Sequence, residues 1–197
     1  VIMNHITKIS KKLSEYGLDA VLITSSSGER YALGFHGEGL LLVTRDGARY
    51  TTAGRSIEAA REQIVGAEVS LVTAGSGHLS QAKEFIQVHG LRNVGFESGE
   101  MTVDAHRRYS QELPCILTPA QGLLDDLRAS KDEGELAHMR RAQEITDEAF
   151  KAILNFIRPG LTEREIAARL VYELLRRGGE QVSFDPIVAA GPNGSRP

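Results

Sequence analysis

An α/β fold built on a mixed sheet is the class that this 197-residue sequence predicts. Three observations carry the prediction. Short β-branched runs alternate with helical periods, one Asp-Gly pair joins two such runs directly, and 41% hydrophobic against 25% charged residues is ordinary globular composition. Residues 3–16 bring Ile6, Ile9 and Leu13 onto one helical face, and Gly17 is a natural stop. The run 19–24 is a strand. Residues 40–44 and 48–52 flank Arg45-Asp46-Gly47 and read as a hairpin, which makes the sheet mixed rather than wholly parallel. Helical spacing returns over 55–65 through Ile57, Ala60 and Ile64, followed by a strand at 69–72, a helix at 79–88 and a strand at 94–97. A helix over 103–113, a buried strand at 115–118 and a short helical stretch at 122–128 complete a first domain spanning residues 3–128.

The composition turns polar at Ala129-Ser130-Lys131-Asp132, and a second domain is expected over 129–197. Asp132 and Glu135 stand at the N-cap and N3 spacing of a capping box, and Thr162 and Glu165 repeat it. Leu136, Met139, Ala142, Ile145, Ala149, Ile153 and Phe156 form the stripe of a long helix ending before Pro159-Gly160. Ile166, Ala167, Leu170, Val171, Leu174 and Leu175 mark the next helix, which stops at Gly178-Gly179, and residues 187–190 read as a strand. Two amphipathic helices and one strand leave this domain without a sheet, so the sequence reads as a portion of a longer chain or of an assembly.

With 23 basic and 26 acidic side chains, the net charge of −3 gives no field to gather nucleic acid or anionic lipid. No apolar run reaches the ~20 residues of a bilayer span, and a cytoplasmic protein starting near Met3 is expected. The single cysteine, Cys115, cannot pair internally, which fits a reducing compartment.

Catalytic grammar is sparse. His5, His36, His78, His89, His106 and His138 show no paired metal-ligand spacing, and Asp125-Asp126 point different ways on a helix. Gly37-Glu38-Gly39 and Gly75-Ser76-Gly77 lack a full phosphate-cradling pattern and read as loops. Ser25-Ser26-Ser27-Gly28 follows a strand without a G-x-S-x-G elbow, and reads as a helix N-cap.

Three ordered blocks of the second domain are more specific: residues 128–140, residues 156–163 and Ser183-Phe184-Asp185-Pro186-Ile187-Val188-Ala189-Ala190-Gly191-Pro192-Asn193. Together with Arg30-Tyr31-Ala32-Leu33-Gly34-Phe35 and residues 41–47, they resemble the creatinase, prolidase and Xaa-Pro aminopeptidase family over nearly the whole chain. The resemblance implies a ribonuclease H-like N-terminal domain followed by the opening segment, two helices and a strand, of an α+β pita-bread domain. It also implies a metal-dependent Xaa-Pro peptidase, of aminopeptidase or prolidase type, that cleaves the bond before proline with hydroxide held by two divalent ions such as Mn, Co or Zn. By the same resemblance the metal ligands and catalytic residues follow Pro197, so this portion alone is expected to bind no metal and to be inactive. Phe184 and Ile187 are expected to line the substrate pocket. Tyr31, Phe35 and His36 lie where a neighbouring subunit's loop approaches the active site in some members, and His36 is the expected in-trans contact of a homodimer. Thr52-Ala53-Gly54-Arg55-Ser56 departs from the family, many of whose members carry Asp before the Arg and Tyr after it. A metal-free creatinase-like hydrolase and a non-catalytic interaction module share the fold and stand as alternatives.

Overall fold

The computed structural model describes residues 4–195, so the expected start at Met3 lies outside it. The chain divides between Lys131 and Asp132 into two compact units. In the first, β1 (Ala20–Ile23), β2 (Leu40–Thr44), β3 (Ala48–Thr52), β4 (Glu68–Leu71), β5 (Asn93–Phe96) and β6 (Ile116–Pro119) form one sheet in the order β4-β3-β2-β1-β5-β6. The β1–β2 and β2–β3 pairs are antiparallel and the other three are parallel, the mixed sheet that the hairpin predicts. The chain reverses with the Thr44 N–H donating to the Gly47 carbonyl at 2.8 Å.

Side-chain alternation along the strands feeds two cores. Val21, Ile23, Leu41, Val43 and Tyr50 pack on one face with α1 (Ile6–Lys12), α2 (Ser26–Leu33), α3 (Ile57–Gln63) and α6 (Gln121–Ala129). Ala20, Leu22, Leu40, Leu42, Val94 and Phe96 pack on the other with α4 (His78–Val88) and Tyr109 of α5 (Val103–Glu112). A strand covered on both sides must be apolar throughout, which explains the unbroken run in β2. Ile9 and Leu13 are fully buried as their spacing predicts, and Gly17 takes the left-handed conformation at φ 64°. The expectation of a buried strand around Cys115 is corrected. β6 is an edge strand with Ile116 69% exposed, and Cys115 is only half-buried, its thiol pushed up by that burial.

The second unit pairs α7 (Glu133–Phe156) with α8 (Glu163–Arg176). Both predicted capping boxes are present: Asp132 accepts the Glu135 N–H at 3.0 Å, and Thr162 accepts the Glu165 N–H at 3.2 Å. Thr162→Ala is expected to cost about 1 kcal/mol, read as a lowered unfolding midpoint of this unit; no change would contradict the cap. Of the predicted stripe in α7, Ile145, Ala149 and Ile153 are buried, while Met139 is exposed. Residues 187–190 form no strand. A strand needs a hydrogen-bonding neighbour, and this segment finds none among the described residues; instead the Ala190 N–H donates to Glu163 at 2.7 Å.

One carboxylate organises the end of α8. Glu173 is 1% exposed beneath Arg169, Arg176 and Arg177. The hydrogen bonds from Arg177 and then Arg176 draw it from the ordinary 4.5 down to about 2. A carboxyl depressed by folding stabilises the native state above its unfolded pKa, and that contribution disappears as pH falls from about 4.5 to about 2. The thermal midpoint of the second unit is therefore expected to drop across that window, and to drop less in Glu173→Gln. Parallel pH profiles for the two proteins would contradict this role.

Candidate functional site

Apolar and polar residues of the second unit enclose a cavity of about 740 Å³ between α7, α8 and residues 178–187. His138, Arg141 and Ile145 of α7 and Leu170 and Leu174 of α8 form its inner wall, and Phe184 and Ile187 its outer one. Both outer side chains are 71% exposed, so a ligand entering here would bury an aromatic and an aliphatic surface now facing solvent. The segment carrying them is anchored downstream, where Glu163 accepts the Ala190 N–H and the Asn193 amide at 3.0 Å. Those bonds hold the Glu163 carboxyl below the usual carboxylate range, the Ala190 N–H contributing most.

The polar groups lining this cavity are His138, Arg141, Thr146, Glu180, Gln181 and Ser183. Two hard divalent cations ask for several carboxylate oxygens, and a single Glu with a guanidinium alongside does not supply them. These residues do not fit a dinuclear metal centre.

The first unit gathers a second polar cluster at one end of its sheet, and sequence reasoning found only part of it. Ser25 caps α2, its Oγ accepting the Gly28 N–H at 2.9 Å. The same hydroxyl donates to Glu97 at 2.5 Å, and the N–H groups of Thr24 and Ser25 donate to that carboxylate at 2.9 and 3.0 Å. Glycine is required at 28, because a Cβ there would lie 2.6 Å from Glu97 Oε1.

Three residues on from Ser26, Glu29 is fully buried, an unusual place for a carboxylate unless donors surround it. It accepts from the Gly39 N–H at 2.7 Å, the Gly37 N–H at 3.1 Å, the Tyr50 hydroxyl at 3.2 Å and His36 Nδ1 at 2.8 Å. Burial, and then the neighbouring Glu29 charge, push the Tyr50 phenol well up, so it remains a donor. His36 keeps a quarter of its side chain exposed, with Nε2 3.3 Å from Ser26 Oγ. His78 lies within electrostatic range of Glu29; burial holds its imidazole below the ordinary range, and Nδ1 has no hydrogen-bond partner among the described residues. The departure noted at Arg55 has a counterpart here, since Arg55 forms an ion pair with Glu38 in the same loop.

The structure thus brings Phe184 and Ile187 to one cavity wall and seats His36 in the cluster of the first unit. Sequence reasoning missed Glu29, Glu97, Tyr50 and Glu173. The partners of Glu29, Glu97 and Tyr50 sit on separate elements, so no local motif announces them, whereas Arg169 and Arg177 stand four residues either side of Glu173, a spacing that could have marked it.

Comparisons with known proteins agree along the chain. The family model for the creatinase/prolidase N-terminal domain matches residues 5–130, and that for metallopeptidase family M24 matches residues 137–197. An uncharacterized peptidase of Bacillus subtilis, YqhT, is 32% identical over 192 residues, 96% of this chain and 54% of that protein. Among solved structures, the Xaa-Pro dipeptidase from Bacillus anthracis superposes with a TM-score of 0.86 at 30% identity, over 93% of this chain and 52% of the other. The X-Pro aminopeptidase from Thermotoga maritima gives 0.80 at 28% identity, over 91% and 52%. The chain spans about half the length of the curated relatives it matches.

Proposed function

From a chain that belongs to the creatinase/prolidase/aminopeptidase P family, we infer the amino-terminal portion of a metal-dependent Xaa-Pro peptidase, of aminopeptidase or prolidase type. The observation that carries this reading is the end-to-end superposition on a Xaa-Pro dipeptidase, 93% of the chain at a TM-score of 0.86. The first domain, residues 3–128, supports a catalytic domain that opens at 129. By the same reading the metal ligands and catalytic residues belong to sequence following Pro197, and the 197-residue chain by itself lacks Xaa-Pro peptidase activity. Two divalent ions, Mn, Co or Zn, would supply an activated hydroxide and polarise the scissile carbonyl.

What this chain's own residues contribute is recognition. An Xaa-Pro amide has no N–H to pair with an extended backbone, so selection falls to the shape of an apolar pocket. Phe184 and Ile187, projecting from the cavity wall, receive the proline-containing peptide. His36, pinned by Glu29 with part of its ring outward, is the contact offered in trans to a second copy of a cytoplasmic homodimer. Among the described residues no helix is long and apolar enough to cross a membrane. Phe184→Ala in the extended gene product is expected to raise KM for Xaa-Pro dipeptides about tenfold, the worth of one well-buried apolar contact, with kcat little changed. An unchanged KM removes Phe184 from the pocket.

A further inference from the structure

We propose that Ser26, His36 and Glu29 of the first unit form an acyl-transfer site for small activated carboxylic esters. Three groups stand in relay. His36 Nδ1 meets Glu29 Oε2 at 2.8 Å, and His36 Nε2 meets Ser26 Oγ at 3.3 Å. Glu29 already accepts the Gly37 and Gly39 N–H groups and the Tyr50 hydroxyl, so its oxygens serve only as acceptors. The proton between Glu29 and His36 therefore belongs to Nδ1, and the Nε2 lone pair is turned toward the serine. A buried acceptor orienting an imidazole, which in turn faces a hydroxyl, is the arrangement of a nucleophile, its base and the base's orienter.

Position supports the same role. Ser26 is the first residue of α2, exposed, where the chain leaves β1 and turns into a helix. The Ser26 and Ser27 N–H groups lie in the first turn, where helix geometry leaves donors without intrahelical acceptors, and they form part of the positive end of the helix dipole. Such donors suit a developing oxyanion. Ser25, by contrast, is buried and its hydroxyl is committed to Glu97 and Gly28.

In the reaction, Ser26 Oγ attacks the ester carbonyl carbon while its proton passes to His36 Nε2. The oxyanion collapses and the C–O bond to the leaving group breaks, the departing alkoxide or phenoxide taking the proton from His36. Water then attacks the acyl-serine, giving its proton to His36; collapse returns that proton to Ser26 Oγ and releases the carboxylic acid. An open site supplies little binding energy, which restricts substrates to short acyl groups on good leaving groups.

The test is incubation of the 197-residue chain with p-nitrophenyl acetate, following p-nitrophenolate release and mapping the acetyl group by peptide mass spectrometry. Acetylation is expected at Ser26, absent in Ser26→Ala. His36→Gln is expected to slow release at least about 100-fold, the typical contribution of a positioned general base. Ser26 is exposed and His36 partly buried, and circular dichroism checks that the fold is retained in both variants. Acetyl groups found only elsewhere, equal release by Ser26→Ala, or release no faster than buffer would overturn the proposal. None of these outcomes touches the peptidase reading, which is assayed separately with metal and Xaa-Pro dipeptides.

Discussion

Replacing Glu29 by alanine is expected to lower the unfolding free energy of the first unit by about 3 kcal/mol. The carboxylate is fully buried and collects two backbone N–H groups and an imidazole from the 36–39 loop and a tyrosine hydroxyl from β3. Removing it strands several donors, each costing about 1–3 kcal/mol if it stays dry, and partial relaxation of the 36–39 loop recovers some of that. Glutamine is no substitute, because its amide NH₂ would face donors. Denaturant titration of the variant measures the loss. A change within about 0.5 kcal/mol would mean that the loop rehydrates freely and that Glu29 organises nothing.

The second large effect lies in the same loop. A Cβ at position 39 would sit 2.4 Å from the Tyr50 ring and 2.6 Å from the Thr51 carbonyl oxygen. Neither can yield cheaply, since Tyr50 is fully buried and held by Glu29, and the Thr51 oxygen is backbone within β3. Gly39→Ala is therefore expected to cost about 2–3 kcal/mol through overpacking. Gly47→Ala in the hairpin meets nothing within 4 Å, and is expected to stay within about 0.5 kcal/mol of the parent. Equal effects at the two glycines would contradict the packing described.

What could be read ahead of the structure was what neighbouring residues decide among themselves. The Asp46-Gly47 hairpin, the stop at Gly17 and both capping boxes depend on spacings of a few residues, and each is present. Exposure at the sheet edge was not legible, because Ile116 and Leu22 look alike in sequence and differ only in how many strands flank them. The misread strand at 187–190 has the same origin: Ile187-Val188 has strand propensity but no described neighbour to pair with. The site divides similarly. Phe184 and Ile187 entered through resemblance and lie on a cavity wall, whereas Glu29 looked like an ordinary acidic residue in the first turn of a helix. Its burial arises from the fold of residues 36–50 over it, which no short pattern encodes.

The central claim, that these residues open a metal-dependent Xaa-Pro peptidase, is tested most directly by expressing the source gene to its natural stop codon and assaying it beside the 197-residue chain. Both proteins receive Mn²⁺ or Co²⁺ and an Xaa-Pro dipeptide. The account predicts cleavage before proline by the longer product, abolished by chelator, and none by the shorter one. Chelator-insensitive hydrolysis by the longer product would point to creatinase-like chemistry, and metal-loaded protein that binds peptides without cutting them would mark an interaction module. Either result, or metal-dependent turnover by the 197-residue chain alone, would contradict the account.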